Sequence, residues 1–186
     1  MNGRTGTAMA SPVTGQAGGT PTAKVGPASV GGEGRRLRAE RAWPLFSGLG
    51  PVGALPTAPH LARAFTTLIL ASWNLAALED TTVLIVSELT ANVVRAAQDD
   101  NGDPRYDGDG RLPVMWLRLM ADAALLGIEV WDTLPVSVGV PVLRQARPYA
   151  ESGRGLEIVA SLSLDWGWER VQGGQEKRTW AVLAIQ

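Results

Sequence analysis

The chain lacks cysteine and has a single histidine among its 186 residues. Disulfide bonds and thiolate metal sites are therefore excluded. The one histidine, His60, excludes any site that needs two imidazoles, and no carboxylate partner stands near it in the sequence. We expect His60 to have a surface or capping role in the first turn of a helix.

The sequence also lacks an excess of either charge, because 17 Lys and Arg residues oppose 18 Asp and Glu residues. Nucleic-acid partners call for a basic excess, so none is predicted. The apolar runs, such as those around Thr67–Ala71 and Val83–Val86, are far shorter than the roughly 18–20 residues that cross a bilayer. No apolar signal-peptide core follows Arg4. We therefore expect a soluble, cytoplasmic protein with no membrane contact.

The first 34 residues differ in composition from the rest of the chain. They hold nine of the 22 glycines and no aromatic residue. Such a segment cannot bury enough apolar surface to offset the entropy lost on ordering it. A short basic run follows and is interpreted as a solvated junction; its members are Arg35, Arg36, Arg38 and Arg41. The sequence predicts a disordered tail over 1–41 and one folded domain over 42–186.

Hydrophobic spacing predicts three helices in the folded part. The first has Thr57 as its N-cap and Pro59 in its first turn, and its core face is predicted to be Leu61, Phe65, Leu68 and Leu75. The second is predicted to be capped by Asp80, and its buried stripe is Val86, Leu89, Val93 and Ala97. The third is predicted to begin at Gly155, with one apolar face formed by Leu156, Val159 and Leu162.

Strands are predicted where apolar residues alternate or cluster between turn signals. The first, Ala42–Phe46, is a short edge strand interrupted by Pro44. Four more follow at Val114–Met120, Leu125–Trp131, Trp166–Val171 and Thr179–Ile185. Two long loops are predicted at Gln98–Arg111 and Thr133–Ala150. This order predicts an α+β fold, a two-layer sandwich with three main helices on one face of a mixed, mostly antiparallel sheet.

Glu88 and Asn92 form the first candidate functional pair. Their i, i+4 spacing puts both on one helical face, at the border of the apolar stripe. A carboxylate in that position can orient water or accept a proton, and an amide oxygen suits Mg²⁺. The alternative is a polar pair solvated at the helix edge.

Asp132 forms the second candidate, because it ends an apolar strand where a long loop begins. A carboxylate there can accept hydrogen bonds from the amino group of a base. The alternative is an Asx turn that terminates the strand. On the last predicted strand, Thr179 could place a hydroxyl near the same base, whereas Trp168 and Trp180 are expected to fill the core or an interface.

The third candidate is Glu151–Leu156, which places glycines on both sides of Arg154 directly before a helix. Glycines let the backbone approach a ligand, and the N–H groups and dipole of a helix N-terminus attract phosphate. Gly153, Arg154 and Gly155 are therefore predicted to contact phosphate. The alternative is a turn into the helix whose glycines serve only a positive φ.

Taken in their order along the chain, these motifs resemble the histidine-kinase-like (GHKL) ATPase superfamily. The resemblance is carried by the E-x-x-x-N helix of Glu88 and Asn92, the hairpin that ends in Asp132, the Gly-Arg-Gly-Leu helix start, and the strand containing Thr179. Residues 62–92, 151–159 and 180–183 are more similar still to the stand-alone anti-sigma-factor serine kinases of high-GC Gram-positive bacteria.

The resemblance implies a role for each matching position. Asn92 would ligate a Mg²⁺ ion that bridges the phosphates of ATP, and Glu88 would act as the base. Asp132 would hydrogen-bond the adenine amino group, and Thr179 would support the base. The positions at the phosphates would be Gly153, Arg154, Gly155 and Leu156, covered by a lid formed by Thr133–Ala150.

The function implied by the resemblance is an ATP- and Mg²⁺-binding regulatory protein. It would be a serine/threonine kinase of the anti-sigma type that phosphorylates a small antagonist protein and binds a sigma factor. One alternative is a non-catalytic binding module whose partner affinity is set when ATP closes the lid. Another is a degenerate domain that no longer binds nucleotide. Relatives in this branch often form homodimers, a state that the residues alone leave open.

Overall fold

A computed structural model of the protein describes residues 41–135, 137–138, 154–171 and 176–185. The elements are, in chain order, β1 (Leu45–Gly53), α1 (Ala58–Ser72), a 3₁₀ turn (Ala76–Leu78), α2 (Glu79–Ala96), β2 (Val114–Ala121), β3 (Leu125–Asp132), α3 (Gly155–Leu162), β4 (Asp165–Arg170) and β5 (Lys177–Ala184). Residues 1–40 of the predicted tail and most of the predicted lid, residues 136 and 139–150, lie outside the described residues.

The strands form one five-stranded sheet in the order β1-β2-β3-β5-β4. All four pairings in the described part of the chain are antiparallel. The predicted α+β class is therefore confirmed, and the sheet is antiparallel throughout the described strands instead of mixed. Strand β5 enters between β3 and β4, so the end of β3 lies beside the start of β5.

The core lies between the helices and one face of the sheet. The predicted stripe of α2 is confirmed, since Val86, Leu89, Val93 and Ala97 are all buried. Alternate residues of β2 and β3 face this stripe, as the two-residue period of a strand requires; they include Leu117, Leu119, Leu126, Ile128 and Val130. Each buried Leu, Ile or Val contributes about 1.5–3 kcal/mol, so this layer fixes α2 over the sheet.

The predicted core face of α1 is only partly confirmed, because Phe65 and Leu75 are partly buried and pack against the core, whereas the other two residues are exposed. Leu61 is 49% exposed and Leu68 is 67% exposed. The buried residues of this helix are instead Ala58, Ala62, Thr66 and Leu70. Both faces of α1 carry apolar residues, so spacing alone could not choose between them, and the smaller side chains are the ones that pack inward.

Two predicted boundaries also change. Asp80 lies in the first turn of α2, and Leu78 holds the N-cap position directly after the 3₁₀ turn. The first strand begins at Leu45, beyond Pro44, because proline lacks the N–H group that a strand ladder uses. It is an edge strand, as predicted from Ala42–Phe46, but it continues to Gly53.

The predicted loop Gln98–Arg111 is confirmed as a segment without helix or strand. Two Asx turns organise it. Asp99 Oδ1 accepts hydrogen bonds from the N–H groups of Asn101 and Asp103, both at 2.9 Å. Asp107 Oδ1 accepts from Asp109 and Arg111 at 2.9 and 2.8 Å. Turn formation therefore accounts for aspartates in this acidic run.

Arg41, the last residue of the predicted tail, contacts the folded domain. Its guanidinium donates a hydrogen bond to Asp122 in the turn between β2 and β3. Asp122 also accepts hydrogen bonds from the backbone N–H groups of Ala124 and Leu125. These interactions, led by the bond from Arg41, lower the pKa of Asp122 to about 2. Arg41 is thus held at the domain surface and does not belong to a freely solvated junction.

Across the described ranges, none of the helices combines the length and apolar character needed to cross a membrane.

Candidate functional site

Helix α2 presents the first candidate pair at the edge of the core. Glu88 and Asn92 are both half-buried, and they alternate with the buried residues Leu89 and Val93. This is the boundary position that the sequence predicts. The helix packs against both α3 and β3, the two elements that carry the other candidate motifs.

The carboxylate of Glu88 lies against the backbone of Gly155. A Cβ atom added at Gly155 would collide with Glu88 Oε2 and would lie 3.2 Å from Glu88 Cδ. Only a residue without a side chain leaves room for the carboxylate in this position. The structure therefore brings together two residues that the sequence assigns separately to catalysis and to phosphate binding.

Gly155 is the first residue of α3, as predicted, and Arg154 holds the N-cap position. Arg154 is exposed, and no side chain caps the helix by a hydrogen bond. Leu156 is buried and anchors the first turn in the core, whereas Leu162, predicted to share its buried face, is 37% exposed. Gly153 lies outside the described residues.

Only one of the two polar atoms of the Asn92 side chain is hydrogen-bonded within the described structure. Its Oδ1 accepts a hydrogen bond from Arg95, and its Nδ2 is buried without a hydrogen-bond partner among the described residues. The oxygen that would bind Mg²⁺ is thus engaged by a neighbouring cation. Within the described ranges, no group of three or more His, Cys, Asp or Glu residues could hold a metal. Phosphate and water would have to supply most of the ligands.

Asp132 ends β3 in a fully buried ion pair. Lys177 Nζ lies 2.5 Å from Asp132 Oδ1, and the two side chains are 2% and 1% exposed. The same oxygen accepts a hydrogen bond from the Leu134 N–H group at 3.0 Å, which is the predicted Asx turn. The other oxygen, Oδ2, is buried and has no hydrogen-bond partner in the described part of the chain.

Two effects act on the pKa of Asp132 in opposite directions. Burial raises the pKa of Asp132, because removal from water penalises the charged form, while the ammonium of Lys177 acts in the opposite direction. A buried charge is stable only when it is paired. Burial has the larger effect, so the pKa of Asp132 is raised overall, and Lys177 limits that rise.

Thr179 continues the same surface of the sheet. It is 5% exposed and lies between Val130 on β3 and Trp168 on β4. The indole Nε1 of Trp168 is buried without a hydrogen-bond partner among the described residues. Sequence reasoning gave Trp168 only a packing role and gave Lys177 no role at all. The signal for Lys177 is the strand register, in which it stands directly opposite Asp132.

A cleft of about 440 Å³ lies beyond the end of β3. Leu134, whose N–H group binds Asp132, lines it together with residues of the 98–111 loop and its flank, among them Tyr106, Arg111, Leu112 and Pro113. Ligand sites in proteins commonly have volumes of roughly 300–1,000 Å³. The described residues therefore place a cleft of ligand size at Thr133 and Leu134, directly after Asp132, which does not itself line the cleft.

No protein-family model matches the chain, and a search of curated proteins finds no match either.

Proposed function

We propose that this protein binds ATP with Mg²⁺ and transfers its terminal phosphate as a serine/threonine kinase of the anti-sigma type. The observation that carries the proposal is the contact between Glu88 and Gly155 at the start of α3. It supports a site in which the base and the phosphate-binding backbone are adjacent. A small antagonist protein would accept the phosphate, and a sigma factor would be the regulated partner. Such a kinase would act in the cytoplasm.

The start of α3 suits phosphate for two reasons. The first N–H groups of a helix have no partner within the helix, and the helix dipole favours an anion at this end. In the structure the carboxylate of Glu88 occupies this neighbourhood. A bound phosphate would displace Glu88 by a side-chain rotation and leave it next to the transferred group, within the range of a general base.

Asp132 supports recognition of the base. Its Oδ2 is buried without a partner among the described residues, and such an acceptor costs about 1–3 kcal/mol while it stays unpaired. An adenine amino group would supply the missing donor. Thr179, two residues beyond Lys177 on β5, would support the base from the neighbouring strand.

Asn92 would hold Mg²⁺ through Oδ1 once Arg95 releases that oxygen. Mg²⁺ in kinase sites is typically held by one or two side chains together with substrate phosphates and water. One amide oxygen with phosphate and water is compatible with that pattern. The ion would neutralise charge that develops on the phosphates during transfer.

A second function, a non-catalytic module controlled by nucleotide, is favoured by one observation. The Arg95 side chain occupies the oxygen of Asn92 that a metal needs. A site that binds ATP without firmly holding Mg²⁺ would bind and respond but transfer phosphate slowly. ATP would then act by shifting the equilibrium between two partner-binding states.

Isothermal titration calorimetry with ATP, with and without Mg²⁺, tests the shared part of both functions. We expect Glu88→Gln to keep ATP binding and to lose transfer of ³²P to a co-purified antagonist protein. Asp80→Asn is the matched control, since it neutralises an exposed acid on the same helix. Transfer that survives in Glu88→Gln would refute the role of Glu88, and partner regulation that survives without transfer would favour the module. Absence of heat at millimolar ATP would refute both.

A further inference from the structure

We infer that Lys177 is a positioning residue that makes the buried site selective for a ring bearing an amino donor, by holding Asp132 so that one oxygen stays unpaired. This inference rests on the proposed function and adds to it a residue that sets base specificity. It predicts discrimination between a purine with an amino group and one with an oxo group at the same position.

The Asp132 carboxylate is held in a fixed orientation. Two donors converge on Oδ1 of Asp132, the ammonium of Lys177 at 2.5 Å and the N–H group of Leu134 at 3.0 Å. One donor comes from β5 and the other from the chain that follows β3, so the carboxylate is held from two directions. Oδ2 is the oxygen left without a partner in the described structure.

The protonation state of Asp132 decides which hydrogen bonds it can make. A carboxylate can only accept hydrogen bonds, whereas a carboxylic acid can also donate one. Burial alone favours the acid form of Asp132, and the ammonium of Lys177 opposes it. On the helix-facing side of the sheet, the other charged residue of β3, β4 and β5 is Arg170, which is exposed and stands opposite Lys177. The half-buried acids of the packed helix α2 are Glu79, in its first turn, and Glu88.

The orientation and charge of Asp132 determine which group a ligand can present to it. An oriented carboxylate whose unpaired oxygen only accepts hydrogen bonds can bind an exocyclic amine, which donates one. It repels an oxo group at the same place, because two acceptors would then face each other in a site without water access. Sites that are built to hydrogen-bond one group reject analogues that leave buried polar atoms unpaired.

The experiment compares ATP with ITP, which carries an oxo group in place of the amine, by calorimetry on the full chain. We expect wild type to prefer ATP at least about tenfold, the discrimination of one hydrogen bond to a charged group. In Lys177→Met the pKa of the Asp132 carboxyl rises further and favours its acid form, which can donate a hydrogen bond, so the ratio should fall towards one. Arg170→Met is the matched control, because it removes a positive charge from the residue opposite Lys177 without removing a partner of Asp132.

The pH profile separates this role from a merely structural one. The ATP-to-ITP ratio should rise with pH as Asp132 ionises, and it should do so at a higher pH in Lys177→Met than in wild type, because loss of the ammonium raises the pKa of Asp132 further. A general loss of structure would weaken both nucleotides alike. A wild-type ratio retained in Lys177→Met, or a flat profile in that variant, would overturn the inference.

Two further measurements keep the outcome decisive. If Lys177→Met does not fold, the double variant Asp132→Asn, Lys177→Met removes both charges, and a wild-type ratio there would also overturn the inference. If wild type binds neither nucleotide, the proposed function fails. Carboxyl ¹³C NMR of the free protein then tests Lys177 alone: Asp132 should titrate at a higher pH in Lys177→Met, and an unchanged midpoint would refute its role.

Discussion

Replacing Gly155 with alanine should move Glu88 away from the start of α3 without unfolding the helix. The added Cβ would collide with Glu88 Oε2 and lie 3.2 Å from Cδ, so the carboxylate must rotate out of its position. The backbone itself accepts alanine. Among the described glycines, positive φ values occur at Gly50, Gly102 and Gly110, and Gly155 is not one of them.

The size of the effect follows from three contributions. Replacing glycine by alanine at a compatible backbone position stabilises a protein by about 0.4–1 kcal/mol. Against this, an off-rotamer Glu88 costs about 0.5–1.5 kcal/mol, and moving its charge from the helix N-terminus costs about 0.3–1 kcal/mol. We therefore expect Gly155→Ala to destabilise the wild-type protein by about 1 kcal/mol. In a Glu88→Ala background, where the collision is absent, the same substitution should stabilise the protein.

Urea unfolding of the four proteins in this double-mutant cycle measures the coupling between Gly155 and Glu88. The contributions above predict a coupling of about 1–2 kcal/mol. The same proteins then report on the proposed transfer step, because a base displaced by about 1 Å can lose about 100-fold in rate. Additive stabilities would show that the two residues do not touch, and would remove the observation that carries the kinase proposal.

Three other perturbations test separate parts of the structure. Lys177→Met should lower the free energy of unfolding by about 3–5 kcal/mol in urea, because it leaves Asp132 buried without its partner, and adding Asp132→Asn should recover part of the loss. Asp122→Asn should weaken the contact with Arg41; since the folded pKa of Asp122 is about 2 and its ordinary value is 3.8, the stability gap to wild type should be full above pH 4 and close between pH 4 and 2 in acid unfolding curves. Asn92→Ala should abolish the Mg²⁺-dependent part of ATP binding in calorimetry with and without EDTA, and an unchanged Mg²⁺ dependence would place the metal elsewhere.

The parts of the fold that could be predicted are those in which one local signal dominates. The stripe of α2 has a single apolar face, and its burial follows directly from the helical period. Gly155 could be predicted to open α3 because glycine and the apolar residues after it give consistent signals. The prediction for helix α1 was wrong at Leu61 and Leu68, because Ala62 and Leu70 offer a second apolar face, and the choice depends on how closely the helix approaches the sheet.

The site shows the same division between local and long-range information. Spacing placed Glu88 and Asn92 together at the edge of α2. The Lys177–Asp132 ion pair could not be predicted, because it depends on the register in which β5 pairs with β3. A shift of one residue in that register would turn the lysine to the opposite face of the sheet. The contact of Glu88 with Gly155 likewise depends on how α2 packs against α3, which sequence spacing does not encode.

The two acids of the proposed site are suited to different tasks, and their surroundings show which task each can perform. Asp132 is fully buried, and one of its oxygens already binds both Lys177 and a backbone N–H group, so it can orient a ligand but is poorly placed to carry a proton away. Glu88 is half-buried beside the N-terminus of α3, and its side chain can rotate when a ligand binds. We therefore expect Asp132→Asn to weaken ATP binding while bound ATP still reacts, and Glu88→Gln to slow the reaction of bound ATP. Single-turnover kinetics at saturating ATP separate the two, and a rate loss of equal size in both variants would contradict this division of roles.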